Sequence, residues 1–168
     1  MSAIFDQGPS APCPRPFNLA AHVLGRAEAH PDKIALAVLT LTKSDRWSYG
    51  RLAAAVRGTG TGLLRAGLNP GDIPTLTESS LEAMRALPPA DWDMGDPDRP
   101  AYIIYTSGTS GIPRAVVHAH RAIWARQMMF DGWYGLRPDD RLCHAGAFNW
   151  TFTLGTGLMD PWTIGATA

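Results

Sequence analysis

The stretch Ala101-Tyr102-Ile103-Ile104-Tyr105-Thr106-Ser107-Gly108-Thr109-Ser110-Gly111-Ile112-Pro113-Arg114 decides how the rest of the chain is read. Its first five residues are β-branched, aromatic or small and carry no charge, which predicts a buried strand. The strand empties into a loop of small hydroxyl residues, closed by Pro113 and a cation. Ala115-Val116-Val117-His118-Ala119-His120 follows as a second strand, then a helical pattern. Gly108 and Gly111 have no Cβ, so the backbone can come close to a ligand. Successive N–H groups in such a turn form a concave anion nest. Thr106, Ser107, Thr109 and Ser110 add hydroxyl donors, and Arg114 adds a planar cation suited to phosphate oxygens. The loop donates throughout and contains no anion. It has neither the spacing and lysine of a Walker A loop nor the G-x-G-x-x-G of a dinucleotide-binding turn. A plain Ser/Thr/Gly surface turn is the competing reading of the glycines alone.

Length and composition bound the answer. The chain has 168 residues, enough for one domain with a core. Apolar residues make up 45%, which argues against a disordered chain. The formal net charge is zero and no basic face stands out, which argues against nucleic acid as a partner. No apolar run approaches the roughly 18 residues of a membrane span. Met1 to Pro16 lacks the basic and apolar regions of a secretion signal. Cys13 and Cys143 make neither a disulfide framework nor a metal spacing, so a cytoplasmic location is the default expectation.

Local signals give the order of elements. Residues 1–16 are an irregular arm. Asn18 caps a helix over Leu19 to Ala29, stopped by Pro31. Ile34 to Leu41 and Arg46-Trp47 form a hairpin about Lys43-Ser44-Asp45. Ser48 caps a helix from Tyr49 to about Ala66, weakened by Gly58, Gly60 and Gly62. Ser79 and Glu82 make a capping box for a short helix to about Leu87. An acidic, Pro-bearing linker follows at about 88–100, most simply a solvated one. Ala122 to Trp133 is one helix. Asp139 to His144 turns into a strand, and Ile164 to Ala168 begins another. His118 and His120 are two apart, which suits a shared strand face, but without a third ligand they are not a metal signature.

The string Tyr105 to Pro113 closely resembles the phosphate-binding signature of the AMP-forming adenylate synthetases, the family of acyl- and aryl-CoA ligases, peptide-synthetase adenylation domains and luciferases. The family has Lys where this chain has Arg114. Three other pieces resemble it in order and spacing: His30-Pro31-Asp32-Lys33-Ile34-Ala35, Trp47-Ser48-Tyr49-Gly50-Arg51-Leu52 and Gly67-Leu68-Asn69-Pro70-Gly71-Asp72. The resemblance implies an α/β fold, part of the N-terminal domain of an acyl-adenylate-forming enzyme over 17–168, with a mixed or parallel sheet flanked by helices. After Asp72 it breaks: a strand–helix–strand unit of the family is absent, as in an internal deletion. The family's later magnesium, ribose and lysine motifs and its C-terminal lobe do not follow, so a truncated chain without activity of its own, and self-association through open sheet edges, are expected.

The resemblance further implies ATP, Mg2+ and coenzyme A as partners of the parent enzyme, with a carboxylic acid as substrate. Thr106, Ser107, Gly108, Thr109, Ser110 and Gly111 would hold the β- and γ-phosphates, and Arg114 the leaving pyrophosphate. Gly146-Ala147-Phe148-Asn149-Trp150 falls near the family's acid pocket. Asn149 would then meet the substrate carboxylate, with Phe148 or Trp150 as the wall; a satisfied Asn at a core strand end is the equal alternative. No acidic residue is present to meet an α-amine, which favours an apolar or aromatic acid over an amino acid. No catalytic residue and no metal ligand is assigned. A non-catalytic nucleotide-binding or interaction remnant and a peptide-synthetase-type fragment are the rival readings.

Overall fold

A computed structural model of the chain describes residues 8–69, 72, 74–106 and 112–168. Strand β1 (Ile34–Leu39) runs antiparallel to β2 (Ser44–Ser48), with Ala37 opposite Arg46 and Val38 opposite Asp45. Thr40 N–H donates to the Lys43 carbonyl at 2.9 Å and closes the hairpin. The end of the chain joins the other edge of β1. Ala168 N–H donates to Ala35 O at 2.9 Å and Ala37 N–H donates to Ala168 O at 2.8 Å. Bonds from one residue to both neighbours of Leu36 are the parallel pattern. Thr167 forms a parallel bridge to Arg141 on the far side. The order is therefore β2, β1, residues 166–168, residues 140–142. Both pairing senses occur, and the parallel part is short.

The second ladder is β3 (Pro100–Thr106) against β4 (Arg114–Ala119), antiparallel. The expectation of a buried strand is corrected here. Only Ile104 of β3 is buried, while Ile103 is 45% and Tyr105 70% exposed. Among the described residues β3 pairs with β4 and with no third strand. An apolar run has the same composition whether or not a neighbour covers it.

Helix α1 (Leu19–Val23) begins where Asn18 accepts from Ala21 N–H at 3.0 Å. It is shorter than predicted. Beyond Leu24 the chain continues as turns, in which Gly25 and Ala27 donate to carbonyls three residues back. Helix α2 (Tyr49–Arg65) starts at Ser48, as its sequence predicts. Gly58 and Gly62 have a packing reason: α3 (Glu78–Arg85) and its C-terminal turn lie against them. A Cβ at Gly58 would sit 2.8 Å from Leu87 O and 2.9 Å from Arg85 O. The α3 cap differs from expectation: Thr77 accepts from Ser80 N–H, and the Ser80 hydroxyl accepts from Thr77 N–H. Glu82 instead pairs with Arg85 at 3.1 Å.

The single helix expected over Ala122 to Trp133 is two, α4 (Ala122–Arg126) and α5 (Met128–Gly132). Gln127 and Phe130 donate to carbonyls three residues back, which tightens the turn between them. Helix α6 (Thr151–Leu154) runs through a π-turn, Gly155–Met159, into α7 (Asp160–Ile164). Gly165 ends α7 at φ 96°, a conformation that suits glycine.

Phe17, Val23, Leu24, Ile123 and Met159 form the main core, and Phe130, Leu136 and Ala166 a second cluster. The Tyr49 ring is fully buried, and its hydroxyl donates to Ala166 O at 2.6 Å. The acidic linker is not simply solvated. Phe17 pairs with Gly95, Arg15 binds Asp96 at 2.8 Å and Asp98 at 2.7 Å, and Arg121 also reaches Asp98. The linker is thereby strapped to the N-terminal arm and to the end of β4.

Candidate phosphate-loop hairpin and acid pocket

The hairpin fixes both ends of the hydroxyl-rich loop. Thr106 lies opposite Arg114 in the last pair of the ladder, and the Thr106 hydroxyl donates to Arg114 O at 3.5 Å. The predicted binding residues Ser107, Gly108, Thr109, Ser110 and Gly111 lie outside the described residues. Arg114 is exposed and forms no ion pair among the described residues. Neither strand of the hairpin carries a carboxylate. A cation with no ion-pair partner among the described residues therefore stands at the end of the ladder.

The two histidines go separate ways. His118 stacks on Tyr102 across the ladder, ring centroids 4.7 Å apart and 9° from parallel, with Nε2 buried and unpartnered. His120 Nδ1 accepts from Leu19 N–H at 2.9 Å, so it caps α1 from 101 residues away. Burial lowers the His120 pKa, with Arg99 adding to the effect. Among the described residues no group of three His, Cys, Asp or Glu could hold a metal ion.

The predicted acid-pocket segment is an exposed turn leading into α6. Phe148 is 42% and Trp150 68% exposed, and Asn149 is exposed too. Asn149 thus lies in an exposed turn and not at the end of a core strand. Phe148 does line a cavity of about 490 Å³ with Leu36 to Leu39, Arg141 to Ala145, Gly157 and Leu158. Asn149, Trp150 and the β3–β4 hairpin do not line it. Among the described residues Phe148 lines this cavity, and Thr106 and Arg114 do not.

Sequence reasoning missed a buried polar cluster. Asp160, fully buried, accepts from Arg126 Nε at 2.7 Å and Nη2 at 2.5 Å, and from the Tyr134 hydroxyl at 2.5 Å. Burial raises the Tyr134 pKa, and its bond to Asp160 raises it further. Burial works against the Arg126 charge, yet the Asp160 hydrogen bond and field leave its pKa raised. A lone acid inside Leu158-Met159-Asp160-Pro161-Trp162 was the available signal.

Two antiparallel hairpins, a short parallel stretch at residues 140–142 and 166–168, and the helices around them define an α/β protein. The sequence profile of the AMP-binding enzymes matches residues 74–168, and the chain belongs to that family. It is 38% identical over 71 residues to the 3-hydroxybenzoate–CoA/4-hydroxybenzoate–CoA ligase of Thauera aromatica, 42% of this chain and 14% of that protein. It is 30% identical over 115 residues to the benzoate–CoA ligase of Thauera aromatica, 58% of this chain and 21% of the relative. The fold matches the anthranilate CoA ligase AuaEII in complex with anthranoyl-AMP with a TM-score of 0.78 at 16% identity, covering 93% of this chain and 45% of that one. Acetoacetyl-CoA synthetase from Streptomyces lividans matches with a TM-score of 0.74, covering 89% and 37%. The chain thus spans less than half the length of these proteins. Among the described residues no helix is long and apolar enough to cross a membrane.

Proposed function

We propose that this chain is the phosphate-gripping part of an ATP-dependent acid–thiol ligase. In the reaction a carboxylate oxygen attacks the α-phosphorus of ATP and pyrophosphate leaves. Coenzyme A sulfur then takes the acyl group from the mixed anhydride and AMP leaves. The chain's own contribution is to hold and neutralise the polyphosphate. Thr106 and the donors of Ser107 to Gly111 would bind the β- and γ-phosphates, and Arg114 the leaving pyrophosphate. The observation that supports this reading is the Thr106–Arg114 pair, which ends the ladder on a cation that has no carboxylate partner among the described residues. The hairpin holds no acid to ligate Mg2+, so no step is assigned to the metal.

An aromatic or apolar acid suits the reading. Phe148 offers a wall, Trp150 and Asn149 stand exposed beside it, and residues 146–155 contain no carboxylate to meet an α-amine. That aligned relatives are benzoate- and hydroxybenzoate–CoA ligases supports the aromatic class. A cytoplasmic setting belongs to the same reading, in keeping with the free thiols of Cys13 and Cys143. The described lysines stand away from the hairpin: Lys33 Nζ donates to Pro138 O at 2.6 Å, and Lys43 sits at the β1–β2 turn. We therefore expect nucleotide binding without turnover by this polypeptide alone.

Calorimetry with ATP tests it. The chain should give a binding heat that Gly108→Trp abolishes, because an indole would fill the nest. A heat that is unchanged by the substitution would remove the loop from the site. Isotope exchange between pyrophosphate and ATP with benzoate present should stay at background; robust exchange would overturn the binding-only reading.

A further inference from the structure

A cavity of about 400 Å³ gathers three cations, Lys33, Arg46 and Arg141, over the sheet that contains β1 and β2. Cross-strand partners share a sheet face. Arg46 lies opposite Ala37, and Arg141 bridges Thr167. Ala168 bonds to the residues either side of Leu36, so Leu36 and Ala168 share one face, and Ala37 and Thr167 share the other. All four of Arg46, Ala37, Thr167 and Arg141 line the cavity. Two arginines therefore flank a floor of two small side chains, on strands about 14 Å apart, or three strand spacings. Lys33 comes from just before β1 and is held beside the 138–141 segment by its 2.6 Å bond to Pro138 O. Arginines elsewhere in the chain pair with carboxylates, but Lys33, Arg46 and Arg141 form no ion pair among the described residues. Asp139, the one acid on the lining, pairs with none of them. Three cations less one carboxylate leave the cavity a net charge of +2.

We propose that this cavity binds a small phosphate monoester, a dianion whose oxygens meet the two guanidinium forks and the Lys33 ammonium. The charge of the ligand matches that of the lining. The volume falls within the range of small-molecule sites, about 300–1,000 Å³, and leaves room beside the phosphate for an organic group against Ile34. The Thr167 hydroxyl already donates to Ile34 O at 2.6 Å, so recognition falls to the three cations. The site shares no residue with the β3–β4 hairpin and is independent of the nucleotide reading.

The test titrates phenyl phosphate into the full chain at about pH 7.5, above the second phosphate pKa of about 6, so that the probe is a dianion. The backbone amides of Ala37 and Thr167 are followed by two-dimensional NMR. Both should shift along one saturating curve, and no saturating shift at these amides would overturn the site. Arg46→Gln and Arg141→Gln should each weaken binding by roughly tenfold or more. Arg65→Gln removes an exposed cation near the end of α2 and should leave the curve unchanged. Equal weakening by all three would reduce the effect to overall charge and overturn the site. Shifts confined to Thr106 and Arg114 would put the probe at the other hairpin and overturn it too. Benzoate binding as tightly as phenyl phosphate at Ala37 and Thr167 would overturn the phosphate assignment.

Discussion

Arg126 and Asp160, 34 residues apart, form a two-pronged ion pair in which the carboxylate is wholly buried and the guanidinium side chain only 18% exposed. The pair joins α4 to the start of α7, and Tyr134 completes the carboxylate's shell. Removing one member of such a pair leaves the other charge uncompensated, which costs about 3–5 kcal/mol. Asp160→Ala should therefore lower the urea-unfolding free energy by about that much. Tyr134→Phe removes one charge-assisted hydrogen bond and should cost about 1.5–3 kcal/mol. If Asp160→Ala costs no more than Tyr134→Phe, the buried pair is not what joins these helices.

Two histidines make stability depend on pH. Burial lowers the pKa of His22, with Arg26 adding to it, and burial then Arg99 lower that of His120. The unfolded chain titrates near the ordinary histidine value of about 6.5. Because both folded values lie below it, the unfolded chain binds protons first as pH falls. Their contribution is fully present above about pH 6.5 and is lost as pH falls through the lowered folded values. Protonation at Nδ1 also removes the acceptor for Leu19 N–H. Urea midpoints at pH 7.5 and 5.5 should differ, and His120→Asn should shrink the difference. A midpoint that holds constant across this range would refute the linkage.

The hairpins, the α2 start and the Asn18 cap were legible in the sequence because each rests on local chemistry. Alternation, a Ser or Asn oxygen and a turn suffice for those. What the sequence left hidden depends on distant partners. That Tyr105 lies open while Ile104 is covered depends on which elements reach β3. That His120 caps α1 needs a contact across 101 residues. The acid run at Asp96 and Asp98 looked solvated because Arg15 and Arg121 are far away in sequence. The loop chemistry was legible as residue types; that Phe148 lines a cavity walled by β1 and residues 141–145 was not, because those walls are brought together from distant parts of the chain.

Arg114 offers a graded test of the phosphate reading. A hydrogen bond to a charged group contributes about 1.5–3 kcal/mol, or roughly tenfold to a hundredfold in affinity. Arg114→Ala should weaken ATP binding by that factor, measured by calorimetry. Arg114→Lys keeps the charge but loses the planar fork, so its affinity should fall between the two. AMP, which lacks the β- and γ-phosphates, should bind alike to all three. Equal weakening for AMP and ATP would place Arg114 away from the polyphosphate.

Two glycines of α2 separate helix propensity from packing. Gly→Ala inside a helix gains about 1 kcal/mol from propensity when nothing obstructs the methyl. At Gly60 the added Cβ would meet only the Ala90 Cβ, at 3.8 Å, an ordinary contact. Gly60→Ala should therefore stabilise by nearly the full amount. At Gly58 it would lie 2.8, 2.9 and 3.0 Å from the carbonyl oxygens of Leu87, Arg85 and Met84. Those are backbone atoms at the end of α3, which can yield only if the helix moves. Overpacking of that kind costs about 1–3 kcal/mol, which outweighs the propensity gain. Gly58→Ala should destabilise while Gly60→Ala stabilises, both read from urea midpoints on the same chain. Equal stabilisation by the two would mean that α3 does not rest on this face of α2.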